Sequence, residues 1–212
     1  MKKVIILNGS PRKNWNTYKM CESFANGVKE SGAEAEIINL YDINFKGCRS
    51  CFACKLKGGK NFGKCSWPDE LTPILDKISQ CDGVVLASPI YFGDVTGVVR
   101  SFIERLFFPF FEYKEGYPSI APKKLKTAVI YTMNVDEKLG SEIYADLFGK
   151  IEGFMEIAFT KPERICAFDT YQFSDYDKYV CETFDKNHKI KQRDEQLPHD
   201  LQKAFDIGKK FV

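Results

Sequence analysis

The apolar positions of this chain change period several times, and each change marks an element. Val4-Ile5-Ile6-Leu7 is a continuous apolar run, the pattern of a parallel strand buried on both faces. A polar, turn-forming stretch from Asn8 to Asn16 follows, and from Thr17 the positions Met20, Phe24 and Val28 recur at helical spacing until Ser31-Gly32. Glu34 to Leu40 reads as a second strand, which completes a βαβ unit. Asp69 is placed to cap a helix through Leu71, Leu75 and Ile78, and Gly83 to Ala87 forms strand three. Ser88 to Gly97 reads as a loop, followed by a helix that turns Val98, Phe102, Ile103 and Leu106 inward. Strand four is Thr127 to Met133, a helix covers about 141–156, and Glu163 to Phe168 is strand five. A last amphipathic helix at about 195–211 carries Leu201, Phe205 and Ile207.

This alternation predicts one three-layer α/β domain over residues 1–212. Only residues 41–68 escape it. There no period survives, and glycines and cysteines dominate, so a long functional loop is expected. The run Phe107 to Tyr113 is too apolar for a solvated loop. It is either core or an oligomer surface, and a homodimer or higher homo-oligomer is the expectation.

Composition removes several function classes. The 31 basic and 29 acidic side chains are mixed along the chain, which gives no electrostatic footprint for nucleic acid or anionic lipid. No stretch approaches the roughly 18 apolar residues of a membrane span, and the N-terminal apolar run is too short for a signal peptide. Eight cysteines are too few for a disulfide scaffold, and the packed trio Cys48, Cys51, Cys54 suits metal or redox work; a cytoplasmic, reducing setting is expected.

The loop after strand one of a parallel sheet points backbone N–H groups and the positive end of the next helix toward the sheet's carboxyl edge, where an anion binds naturally. Here that loop supplies Ser10, Asn14, Asn16 and Thr17 as neutral donors and Arg12 as a fork-shaped cation, a set matched to a phosphomonoester. The Walker pattern and the glycine-rich dinucleotide fingerprint are both absent, which disfavours ATP, GTP and tightly held dinucleotides. There is no G-x-S-x-G nucleophile elbow either, and His188 and His199 lie in polar sequence as solvated side chains.

Gly9-Ser10-Pro11-Arg12-Lys13-Asn14 with Asn16-Thr17, taken together with Ser88-Pro89-Ile90-Tyr91-Phe92-Gly93-Asp94-Val95-Thr96-Gly97, resembles the NADPH-dependent FMN reductase and iron–sulfur flavoprotein group of flavodoxin-like proteins. The resemblance covers roughly residues 1–135 and implies a five-stranded parallel sheet in the order 2-1-3-4-5. It implies that Ser10, Arg12, Asn16 and Thr17 hold the phosphate of FMN, and that Pro89, Ile90, Tyr91, Phe92 and Gly93 wrap the isoalloxazine ring. Met133 and Asn134, at the end of strand four, are candidates for the ring's edge. Trp15 departs from the small residue usual in such loops.

Cys48-x2-Cys51-x2-Cys54 with Cys65 resembles the compact motif by which iron–sulfur flavoproteins hold a [4Fe–4S] centre. The ten residues between Cys54 and Cys65 exceed the family's compact spacing and carry Lys55, Lys57, Lys60 and Lys64. A cluster, a zinc site and metal-free thiols on a lid or subunit contact all remain open, and the flexible, metal-free loop is the expectation. The resemblance implies an oxidoreductase passing electrons from NAD(P)H through FMN to a quinone, nitro compound, flavin or protein acceptor. The flavin would perform the hydride chemistry, so no catalytic side chain is expected. An electron-transfer iron–sulfur flavoprotein and a non-enzymatic flavin-binding module are the alternatives.

Overall fold

A computed structural model describes all 212 residues. Strand β1 (Lys3–Asn8) is followed by helix α1 (Asn16–Glu30) and strand β2 (Glu34–Asn39). Helix α2 (Thr72–Gln80), strand β3 (Gly83–Tyr91), the two-residue strand β4 (Asp94–Val95) and helix α3 (Gly97–Phe107) come next. Strand β5 (Lys126–Thr132), helices α4 (Glu137–Ile143) and α5 (Ala145–Ala158) and strand β6 (Glu163–Ala167) complete the sheet. Helices α6 (Lys186–Lys191) and α7 (Leu197–Lys209) end the chain, joined by a π-helical turn at Gln192–Gln196.

The sheet order is β2-β1-β3-β5-β6, with every neighbouring pair parallel; β4 pairs only with β3, antiparallel. Without β4 this is the expected order 2-1-3-4-5. Period-two alternation explains the layers. Ile5 and Leu7 join Leu86, Phe102 and Ile151 in one core, while Val4 and Ile6 join Phe24, Val85 and Ile130 in the other. Each such side chain contributes about 1.5–3 kcal/mol when fully buried. On the second face α1 and α7 touch through backbone. A Cβ at Gly27 would lie 2.0 Å from the Phe205 carbonyl oxygen, and one at Gly208 would lie 2.2 Å from that of Phe24.

Two elements differ from the expectation. Strand β3 runs on to Tyr91 because Ser88 and Pro89 continue the register against Tyr131 and Thr132 of β5, so the predicted loop is largely strand and hairpin. The single helix expected at 141–156 is two, since the Asp136 carboxylate accepts the Leu139 N–H and starts α4 earlier, and the chain breaks at Tyr144. The Asp69 carboxylate does more than cap: its Oδ1 accepts the Leu71 N–H (3.1 Å) at the entry to α2, and both of its oxygens also bind Arg105. No helix is long and apolar enough to cross a membrane.

Candidate functional site

Three chain segments meet at the carboxyl edge of the sheet, where β1 and β3 form the switch point of the strand order. The first is the loop Gly9–Trp15. Gly9 donates its N–H to the Ala87 carbonyl (2.8 Å) and accepts from Thr96 Oγ1 (2.8 Å), and a Cβ there would lie 2.0 Å from Val99. That close approach presses the loop onto the start of α3. Within it, Ser10 donates its N–H to Asn8 Oδ1 (3.1 Å), and Arg12 donates its N–H to Ser10 Oγ (3.2 Å). Asn14 takes a left-handed backbone (φ 60°) and is exposed, so its observed part is to shape the turn. Asn16 and Thr17 are buried, and Thr17 Oγ1 shares a 2.7 Å hydrogen bond with Thr132 Oγ1 at the end of β5. Trp15 occupies the N-cap of α1 and offers no side-chain acceptor to the first-turn N–H groups. An uncapped helix start beside Ser10, Arg12 and Thr17 fits a phosphate.

The second segment is a hairpin. Phe92 (φ 50°) and Gly93 (φ 80°) make a two-residue turn between the paired residues Tyr91 and Asp94, and Arg100 braces its base through a 2.7 Å ion pair with Asp94. Positive φ at a phenylalanine is strained, and the Phe92 ring is wholly exposed at the tip. Ile90 leans on the core. Burial pushes the Tyr91 phenol up, against the pull of the nearby Arg12 guanidinium. Burial likewise lowers Arg12, whose neighbours are the phenols of Tyr91, Tyr171, Tyr179 and Tyr176. The hydrogen bonds of Gly9 to Ala87 and Thr96 hold the two candidate loops side by side.

The third segment follows β5. Met133, a candidate for the ring's edge, has a buried side chain with its sulfur against Gly140 of α4. Asn134 is the next residue. Its Nδ2 donates to Gln172 Oε1 (2.7 Å), while its Oδ1 is buried with no protein donor.

A cover over these loops escaped sequence reasoning. Arg12 Nη2 donates to the Gln172 carbonyl (2.7 Å), Asn16 Nδ2 donates to that of Tyr171 (2.8 Å), and the Tyr171 ring stacks on Trp15 at 4.8 Å. Trp15 in turn carries the Arg12 guanidinium 3.8 Å from its ring centre, which accounts for a bulky residue at this position. The buried Lys189 ammonium donates to the Asn134 carbonyl (2.8 Å) and pairs with Asp169. Only the aromatic spacing Tyr171, Phe173, Tyr176, Tyr179 hinted at this cover. His188 and His199 are exposed.

The cysteine loop is not a free excursion. Gly63 donates its N–H to the Cys54 carbonyl (3.0 Å), so the ten-residue insert folds back, and Cys48, Cys51, Cys54 and Cys65 line one cavity with Arg49, Glu104 and Arg105. Left-handed backbone at Ser50 and Phe52 bends the trio around it. Lys55, expected in a mobile basic stretch, donates to the Pro109 (3.2 Å) and Phe111 carbonyls. No three His, Cys, Asp or Glu side chains are arranged as a metal ligand set. Four thiols on one cavity beside two guanidinium groups nonetheless fit a thiolate-ligated cluster in the chemistry of their donors. Of the aromatic run, Phe107, Pro109 and Phe110 are core, and Tyr113 is exposed.

A doubly wound parallel sheet with an uncapped first helix at its switch point defines the flavodoxin-like class of α/β proteins. The model of the NADPH-dependent FMN reductase family matches residues 2–134, and the chain belongs to that family. The family is named for NADPH-dependent reduction of FMN. An iron–sulfur flavoprotein of Archaeoglobus fulgidus is 44% identical over 103 residues, 49% of this chain and 48% of that protein. The match thus spans about half the relative's length. A second iron–sulfur flavoprotein of the same organism is 27% identical over 97% of this chain and 89% of its own length. Among solved structures, an NAD(P)H:quinone oxidoreductase from Methanothermobacter marburgensis superposes with a TM-score of 0.74 at 14% identity, over 100% of this chain and 99% of that one. That likeness establishes the fold.

Proposed function

We propose that this chain binds FMN at the β1–β3 switch point and passes electrons from NAD(P)H to a quinone or another small-molecule or protein acceptor. The observation that supports it most is the hydrogen bond from Thr96 Oγ1 to the Gly9 carbonyl (2.8 Å), which ties the end of the hairpin to the loop that carries Ser10 and Arg12. Ser10, Arg12, Asn16 and Thr17 would hold the phosphate, with Arg12 and Asn16 exchanging the carbonyls of Gln172 and Tyr171 for phosphate oxygens. Pro89 to Gly93 would flank the ring, and Asn134 Oδ1 offers it an unpaired acceptor. FMN, when bound, accepts and donates the hydride, while the protein orients it and excludes water. A homodimer and a reducing cytosolic setting, suited to eight free cysteines, belong to the same reading. Anaerobic mixing with FMN and NADPH tests it: the flavin colour should bleach within seconds and return on adding a quinone. Failure to take up FMN at micromolar concentration would overturn the reading.

A second reading, an iron–sulfur flavoprotein with a [4Fe–4S] cluster on Cys48, Cys51, Cys54 and Cys65, is favoured by the folded-back insert and the shared cavity. Two curated relatives bear that name. About four irons per chain in anaerobically prepared protein, lost in a Cys48→Ala, Cys51→Ala double variant that keeps FMN, would establish it. Normal turnover without metal would return the loop to a lid or subunit contact.

A further inference from the structure

Arg105 lies in the last turn of α3, where a basic residue ordinarily faces solvent and complements the helix dipole. Here it is 3% exposed. A guanidinium so deeply buried carries a desolvation cost that only saturated hydrogen bonding offsets. All five of its N–H groups are engaged. Nη1 donates to Asp69 Oδ2 (2.6 Å) and the Lys46 carbonyl (3.0 Å), and Nη2 donates to Asp69 Oδ1 (3.0 Å) and the Trp67 carbonyl (3.4 Å). The fifth donor, Nε–H, reaches Cys65 Sγ at 3.0 Å.

The partners sort by position along the chain. Lys46 precedes the cysteine trio, whereas Cys65, Trp67 and Asp69 follow the insert, so one side chain clamps both ends of the loop. Asp69 alone would be neutralised by any cation. A planar fork that grips a carboxylate with its two terminal nitrogens has Nε–H left to aim elsewhere, and a lysine ammonium has no equivalent. Cys65 is also the thiol that departs from the compact spacing and most needs an external tether. Meanwhile α3 begins at the flavin hairpin, so the clamp ties the cysteine cavity to a helix that starts at the flavin site.

We infer that Arg105 is a positioning residue for the cysteine centre: it holds Cys65 in the trio's cavity and donates an N–H···S hydrogen bond to the sulfur of a bound cluster. The inference rests on the iron–sulfur reading above. Hydrogen bonds to ligand sulfurs are one of the levers that set cluster potentials, and a donor stabilises the more negative, reduced centre. Arg105 therefore raises the potential of the cluster and leaves that of FMN alone.

The experiment uses anaerobically purified protein with its iron and FMN, titrated potentiometrically and followed by electron paramagnetic resonance. Arg105→Lys and Arg105→Gln should bind FMN as the parent does, with an unchanged flavin potential, while the cluster potential shifts to more negative values and iron is lost faster on dilution. Parent protein grown on nitrogen-isotope-labelled arginine should show a labelled-nitrogen coupling in the reduced cluster. An unchanged cluster potential in Arg105→Lys, or no labelled-nitrogen coupling in the parent, overturns the assignment while the cluster reading stands. If both variants fail to fold, the labelled parent decides alone. A parent that holds no iron brings down the cluster reading, and this inference with it.

Discussion

Residues 43–68 and residues 168–185 both abandon periodic packing, and each is fastened to the fold by one buried cation, Arg105 in the first case and Lys189 in the second. The cations differ in kind. Lys189 is a point charge on a long stem: it meets the Asn134 carbonyl, the Asp169 carboxylate and the face of Phe184 at 4.6 Å, and so fixes a single crossing. Arg105 spreads five donors over four residues and closes a whole loop. Segments with no core of their own take their order from buried charge that satisfies backbone carbonyls. The difference also divides the sites. The loop Gly9–Trp15 is covered from outside by a strap bonded to Arg12 and Asn16, whereas the cysteine loop is locked from inside.

The strongest way to break this comparison is to remove each anchor. Arg105→Ala strands Asp69 and should cost about 3–5 kcal/mol, read as a lower urea midpoint. Lys189→Ala should cost less, because it releases one crossing and fewer bonds; a larger loss than in Arg105→Ala would contradict the ranking. Lys189→Ala should also loosen FMN, and Arg105→Ala should not.

At the phosphate loop, Arg12→Ala and Thr17→Ala should each weaken FMN binding by about 1.5–3 kcal/mol, roughly 10- to 150-fold, in a flavin fluorescence titration. Unchanged affinity in both would mean that the phosphate sits elsewhere. Acid sharpens the cysteine side. Burial tends to raise the Asp69 carboxyl, but hydrogen bonding and charge from Arg105 outweigh it and hold the group below the usual carboxylate range. A depressed carboxyl contributes stability above its unfolded pKa of about 3.9 that is lost as pH falls through the folded value. Asp69→Asn should therefore flatten the acid limb of the stability curve, as followed by urea midpoints across pH. The smallest effect belongs to Phe92→Gly. Relief of the left-handed backbone and the entropy of glycine nearly cancel, so stability should stay within about 1 kcal/mol of the parent while flavin affinity falls.

Much of the fold was legible because its parallel strands are apolar on both faces and its helices keep strict spacing, as in Val4–Leu7 and in Met20, Phe24 and Val28. The first loop was legible as well, since turn residues before a helix start have few other uses. The side-chain direction of Met133 was not legible, because a residue just past a strand can turn to either side and the choice lay with α4. The local bond of Asp69 to the Leu71 N–H was legible, but its ion pair with a residue 36 positions away was not.

By its own pattern the sequence determined the layered α/β sheet and the turn-forming loop after its first strand, which follow from periodicity and neighbouring residues, while the strand order came from the family resemblance. Only the tertiary structure decided that Tyr171 and Gln172 cover that loop, that Lys189 is buried rather than solvated, and that Arg105 gathers Cys65 to the trio. The physical reason is common to all three. A hydrogen bond between residues 40 to 160 positions apart leaves no local signature, since what selects it is the desolvation of a charge by elements that only folding brings together.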